Sequence, residues 1–292
     1  TLPSVHNIGD TSAVTVYYHG TPQADAQWGG FYFQSGYAYN LGVGFAANPH
    51  PFGRIWFPCF DNFIERSQYE FNIKTNGGKT AYCNGSLVKD TTDVNGFRTR
   101  TWVMNQEIPS YLASVAVAGY THVNQTYNGI NGIIPIMLTA LPADTTAMKN
   151  SFINLNTALS IFESRYGPYK WNKVGYCAVP FGSGAMEHAT NIAYPKYAIN
   201  GNTAYQTLYA HELSHHWWGD LATCRTEGDM WINEGLATYS EHIFTEGISG
   251  KASYKNAVRT NHEKVLHYAH ITEGGYRALS GIPSQYTYGD HV

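Results

Sequence analysis

In the stretch His211-Glu212-Leu213-Ser214-His215, two histidines stand four residues apart and a glutamate directly follows the first. On a helix that spacing brings both imidazoles to one face, aimed at a common point. Two neutral imidazoles and one carboxylate form the usual protein shell of a catalytic zinc, whose fourth position stays open to water. The carboxylate is at hand in Glu234, inside Trp231-Ile232-Asn233-Glu234-Gly235, with 18 residues between it and His215. That interval accommodates a helix end, a loop and the start of a second helix, so Glu234 can return to the open side of the histidine pair. Glu212 is rotated about 100° from His211 around the helix. It then flanks the metal without binding it, where a general base for the attacking water belongs. A different zinc design takes its third histidine after H-x-x-G-x-x, and it is excluded because position 218 is Trp.

Helices from about residue 203 to 218 and from about 229 to 244 must carry these ligands, with a further helix near 254–267. Upstream, Val174-Gly175-Tyr176-Cys177-Ala178-Val179 reads as a strand leading into a Gly182-Ser183-Gly184 loop. Asp144-Thr145-Thr146 offers an N-cap for one helix through Phe152, Leu155, Leu159 and Phe162, stopped at Tyr166-Gly167-Pro168. Ile133-Ile134-Pro135-Ile136-Met137-Leu138 precedes it as a strand. Residues 1–130 are β-rich. Val14-Thr15-Val16-Tyr17-Tyr18, Trp28-Gly29-Gly30-Phe31-Tyr32-Phe33, Gln68-Tyr69-Glu70-Phe71-Asn72-Ile73-Lys74, Arg98-Thr99-Arg100-Thr101-Trp102-Val103 and Ser114-Val115-Ala116-Val117-Ala118 all read as strands between turn signals. An α+β chain is expected: an antiparallel β domain over 1–130, then a mixed α/β catalytic domain over 131–292.

Charged residues make up only 13% of the 292, and the net charge of −3 gives no reason to expect nucleic acid or an anionic membrane as partner. A surface of uncharged polar groups leans toward a secreted or periplasmic protein. No apolar run approaches the length of a membrane span. Cys59, Cys83, Cys177 and Cys224 form no C-x-x-C pair, so neither a zinc knuckle nor a redox motif is indicated. A Cys59–Cys83 disulfide and buried free thiols are both open.

Gly184-Ala185-Met186-Glu187-His188 lies about 24 residues before the zinc motif, just after the strand. With H-E-x-x-H-x18-E, it resembles the signatures of the M1 family of zinc aminopeptidases. Arg54-Ile55-Trp56-Phe57-Pro58-Cys59-Phe60-Asp61, Pro109-Ser110-Tyr111-Leu112 and Phe162-Glu163-Ser164-Arg165-Tyr166-Gly167 look like further segments of that family, in the same order. The resemblance implies a thermolysin-like catalytic domain and one zinc per chain. It also implies a peptide substrate with a free N-terminus, lying along residues 184–188 with its α-amine on Glu187. A carboxylate fixed near the metal would pair with an ammonium and so measure one residue to the scissile bond.

The sequence departs from the family in three places. His188 replaces an Asn that contacts substrate backbone; it can donate the same hydrogen bond or serve in packing. Pro49 stands where a second amine contact is usual. The family's transition-state tyrosine falls in a window that reaches the chain end. Tyr286 and Tyr288 lie near it without the Lys-Gly context, which points to a tyrosine beyond Val292 and to a fragment that binds zinc yet hydrolyses poorly. The β domain also reads as lacking its first strands. Asp220 and Asp229 either orient the ligand imidazoles or cap helices. Two other functions stay open: a thermolysin-like endopeptidase, and an inactive M1-like module that binds peptide N-termini.

Overall fold

The computed structural model describes residues 7–289 and 292. Seven strands occupy the first part: β1 (Gly29–Gln34), β2 (Tyr37–Gly44), β3 (Arg66–Thr75), β4 (Thr80–Cys83), β5 (Ser86–Thr92), β6 (Arg98–Pro109) and β7 (Val115–Ala118). They form two antiparallel sheets, ordered β1-β2-β7-β4 and β3-β6-β5. β3 shows the alternating exposure its sequence predicts, with Phe71 turned into the core. Tyr39, Leu41, Tyr82, Trp102 and Met104 fill the space between the sheets and are almost fully buried. Each such side chain contributes roughly 1.5–3 kcal/mol of apolar burial. The packing is tight: a Cβ on Gly42 would lie 1.5 Å from the Tyr111 carbonyl oxygen.

The second part is built on β8 (Thr121–Gly129), β9 (Gly132–Ala140), β10 (Val174–Val179) and β11 (Ile192–Pro195), in the order β11-β10-β9-β8. β10 runs parallel to both its neighbours and is buried along its whole length. A parallel strand covered on both faces has no reason to alternate, which is why it reads as a continuous apolar run. β8 pairs with β9 from end to end, so this sheet reaches back across residue 130. Among the described residues, four α-helices of seven residues or more complete it: α1 (Thr145–Ser151), α2 (Leu155–Tyr166), α3 (Gln206–Ser214) and α4 (Glu234–Lys264), the last kinked at Gly250.

Several expectations are corrected. Residues 14–18 alternate like a strand, but they pair with none among the described residues, and Tyr17 is 94% exposed. Alternation describes one strand's faces and cannot supply the partner that its N–H and C=O groups need. The single helix from 144 is two, broken at residues 152–154 so that Phe152 can stack on Tyr209 of α3 at 4.8 Å. Asp144 occupies the N-cap position without a capping hydrogen bond and pairs instead with Lys196 at 2.8 Å. All four cysteines are free, Cys59 partly exposed and the other three buried. No helix among the described residues is long and apolar enough to cross a membrane.

Candidate metal centre

Residues 208, 211, 212 and 215 form one stripe along α3 and its C-cap, and this stripe faces a cavity of about 430 Å³. The opposite stripe is apolar: Tyr209, Ala210 and Leu213 pack inward and fix the helix's rotation. α3 ends at Ser214, short of the expected 218, and the chain turns back through Gly219. Gly219 has φ +124°, and a Cβ there would lie 3.1 Å from His215 Nδ1, so both conformation and space call for glycine. That turn points the Trp218 carbonyl at His215, whose Nδ1–H donates to it at 2.9 Å.

Glu234 opens α4 and returns to the histidines as its spacing predicts. His211 Nε2 and His215 Nε2 lie 3.1 Å apart, and they lie 3.3 and 3.6 Å from Glu234 Oε2. Zinc ligands about 2.0–2.2 Å from a tetrahedral ion stand about 3.3–3.5 Å from one another. The tautomers agree with this. A carbonyl accepts the proton of His215 Nδ1, and Glu241 Oε1 accepts that of His211 Nδ1 at 2.9 Å. Each Nε2 lone pair is thereby directed inward beside a carboxylate oxygen, and three electron-pair donors converging on one point require a cation. The residues present fit zinc.

The charges favour the same conclusion. Burial works against a proton on His215, yet Glu234 and Glu187 raise it to about 9. His211 is likewise raised well above its ordinary value, against burial, by hydrogen bonds to Glu234 and Glu241. Burial opposes ionisation of Glu234, but the charge of His215 and hydrogen bonds from both rings hold it well below the usual carboxylate range. The pocket is a trap for positive charge. Glu212, 5% exposed, is pushed up by burial to about 7, with His211 and His215 acting in the opposite sense.

Glu241 was not among the sequence-derived candidates. It stands seven residues beyond Glu234, two turns along α4, and so shares its face. That spacing is the one signal that could have revealed it.

The cavity also brings in Gly184, Ala185, Met186 and Glu187, on the loop between β10 and β11. Met186 bridges backbone to backbone with Ala193 of β11, which holds the loop beside α3. Glu187 is 7% exposed, and it shares a cluster with Glu212 and His215 in which all ligand atoms lie within 4.8 Å. Burial raises its pKa, His215 lowers it and Glu234 raises it further. His188 does not line the cavity. It is fully buried behind Glu187, with Nε2 3.3 Å from the Asn40 amide nitrogen. Asp220 neither caps a helix nor orients a ligand. It is fully buried 3.7 Å from His216 Nε2, and burial pushes its carboxyl well up. Asp229 accepts from the Ser280 hydroxyl at 2.5 Å. Tyr286 lies under the Arg277 guanidinium, whereas Tyr288 stands in the cavity wall with its ring stacked on Phe45 at 4.2 Å. The N-terminal sheet contributes Trp28, Val43 and Phe45 to the same wall.

A helix-borne pair of histidines, a glutamate from the following helix and a flanking glutamate define a gluzincin-type zinc centre. The family model for the peptidase M1 domain matches residues 151–274, and that for the peptidase M1 N-terminal domain matches residues 12–112. The chain belongs to peptidase family M1. Among curated relatives, aminopeptidase B of Rattus norvegicus is 26% identical over 201 residues, 68% of this chain and 29% of that protein. Leucyl aminopeptidase of Saccharolobus solfataricus is 24% identical over 239 residues, covering 73% and 30% of the two chains. The M1 zinc metallopeptidase of Deinococcus radiodurans has the same fold, with TM-score 0.77 and 20% identity over 93% of this chain and 59% of that one. The chain thus spans less than a third of the length of those two curated relatives.

Proposed function

We propose that this chain carries the active centre of a zinc-dependent aminopeptidase, removing residues from the free N-terminus of a peptide. The observation that carries the reading is the position of Glu187, a buried carboxylate within 4.8 Å of Glu212 and His215. A zinc ion held by His211, His215 and Glu234 supplies Lewis-acid polarisation of the scissile carbonyl and an acidified water. Glu212 takes a proton from the attacking water and delivers it to the departing amine nitrogen. Glu187 pairs with the α-ammonium and sets the register at one residue. Glu241 and the Trp218 carbonyl hold the two imidazoles in their metal-binding tautomer.

A carboxylate at that position penalises a blocked or continuing N-terminus, which disfavours an endopeptidase. The ligand set and base are both complete, which disfavours an inactive binding module. Hydrolysis of a leucyl arylamide by the zinc-loaded protein, compared with its N-acetyl form, tests the reading. The free amine is expected to react at least about 100-fold faster in kcat/KM. Equal cleavage of the two would rule the reading out.

A further inference from the structure

We propose that Trp28, Phe45 and Tyr288 form the subsite for the first side chain of the substrate and select flat aromatic residues there; this rests on the aminopeptidase reading. All three rings line the cavity that holds Glu187. They form a continuous wall: Trp28 stacks on Phe45 at 4.8 Å and 23°, and Phe45 stacks on Tyr288 at 4.2 Å and 17°. Tyr288 lines the same cavity as Glu187 and Glu234.

The wall is held rigid from several sides. Asp25 Oδ1 accepts from Trp28 N at 3.1 Å and from Ala46 N at 3.0 Å, tying together the two loops that carry the rings. Phe45 N donates to the Trp28 carbonyl at 3.0 Å. Trp28 Nε1 donates to the Ser183 carbonyl at 2.9 Å, and a Cβ on Gly184 would meet the Trp28 ring at 3.6 Å. The wall therefore abuts the loop that carries Glu187, three residues from it.

Covalent geometry does the rest. An ammonium held on Glu187 puts the first residue's Cβ only two bonds away, roughly 2.5 Å. The walls around Glu187 therefore decide which first side chain is buried. A preformed aromatic face rewards a planar side chain by stacking and by burial, while a methyl group leaves the rings wet. Each of the four carboxylates that line this cavity among the described residues has another role in the proposed site: Glu187 faces the α-amine, Glu212 the attacking water, Glu234 the metal position, and Glu241 the His211 ring.

Calorimetric titration of the zinc-loaded protein with L-phenylalaninamide, L-alaninamide, L-argininamide and N-acetyl-L-phenylalaninamide tests this. The phenylalanine amide should bind at least about 10-fold tighter than the alanine amide. Phe45→Ala should bring that ratio close to one. Phe45→Leu, which keeps most of the packing volume and removes the stacked face, should give an intermediate ratio with a nearly unchanged melting temperature. A wild-type ratio near one, an unchanged ratio in Phe45→Ala, or tightest binding of the arginine amide would overturn the subsite while the preference for free over acetylated amine stands. Equal binding of the free and acetylated phenylalanine amides would overturn the aminopeptidase reading itself and this proposal with it.

Discussion

Glu212 shows how one residue's surroundings set its task. A carboxylate with its ordinary pKa would be a weak base at neutral pH. Burial lifts this one to about 7, with His211 and His215 opposing. A base works only when ionised, so on the proposed function kcat/KM is lost as pH falls through that value, and positive charge at the proposed ligands moves the loss lower. The acid limb of the pH profile is thus expected at or below about pH 7. Replacing Glu212 by Gln keeps the shape and removes the base. Turnover should fall by at least about 100-fold while zinc content by plasma mass spectrometry stays at one per chain. A variant losing both zinc and turnover would show Glu212 to be a ligand. Glu212 and the two proposed histidine ligands are legible because they are local: the period of a helix places His211, Glu212 and His215 whatever surrounds them, while Glu234 is legible through its 18-residue interval from His215.

At the level of elements, α4 supplies two functional side chains where the sequence suggested one. Glu234, the proposed third ligand, stands at its start, and Glu241, two turns on, accepts the His211 Nδ1 proton at 2.9 Å. Glu241→Ala leaves that ring free to rotate. Zinc affinity in competition with a chelator should fall about 10–100-fold, with the fold intact by circular dichroism. Unchanged affinity would show the hydrogen bond to be incidental. Glu241 was hard to see because its partner is 30 residues away on another helix. The break between α1 and α2 was hidden for a related reason: Phe152 leaves helical geometry to reach α3, a tertiary demand that periodicity does not record. β10 and β3 were readable from their apolar patterns, and residues 14–18 show where that kind of pattern fails. His188 has the motif's position, but it is fully buried, with Nε2 3.3 Å from the Asn40 amide nitrogen, and is not among the residues that line the cavity.

Across the whole molecule, the two halves are joined by buried polar contacts around the substrate loop. Asn84 donates to the Ala189 carbonyl at 2.5 Å, Gly85 N to Thr190 Oγ1 at 2.7 Å, and Arg66 to the Asp220 carbonyl at 2.9 Å. Lys173, between α2 and β10, donates to the Cys83 and Gly85 carbonyls at the end of β4, with its ammonium 4.4 Å from the Trp102 ring centre. Burial lowers its pKa from 10.5 to about 7. Between those values the unfolded chain keeps a proton that the folded chain has released, so stability rises with pH across that window. Above about pH 9 the buried thiols and phenols, pushed up in the folded state, reverse the trend. Raised His211 and His215 act in the opposite sense over the same window, so the Lys173 share is read by difference: between pH 7 and about 8.5 the slope of urea-unfolding stability against pH should be more positive in the wild type than in Lys173→Met, by up to about 1 kcal/mol per pH unit. An unchanged slope in the variant would show that Lys173 keeps its charge in the fold. This joining of the halves, and the aromatic wall it delivers to the cavity, could not be read from the sequence. Trp28 and Phe45 reach the site only because two separately legible domains pack in one particular way.

The proposed role of Glu187 is to make a zinc hydrolase count from the amino terminus. Its most direct test is the ratio of kcat/KM for a free leucyl arylamide to that for the N-acetylated form, measured in the wild-type protein and in Glu187→Gln, both loaded with zinc. The ratio is expected to fall by at least about 10-fold in the variant, through a weaker response to the free amine, with zinc retained. A variant that discriminates as strongly as the wild type would contradict the account.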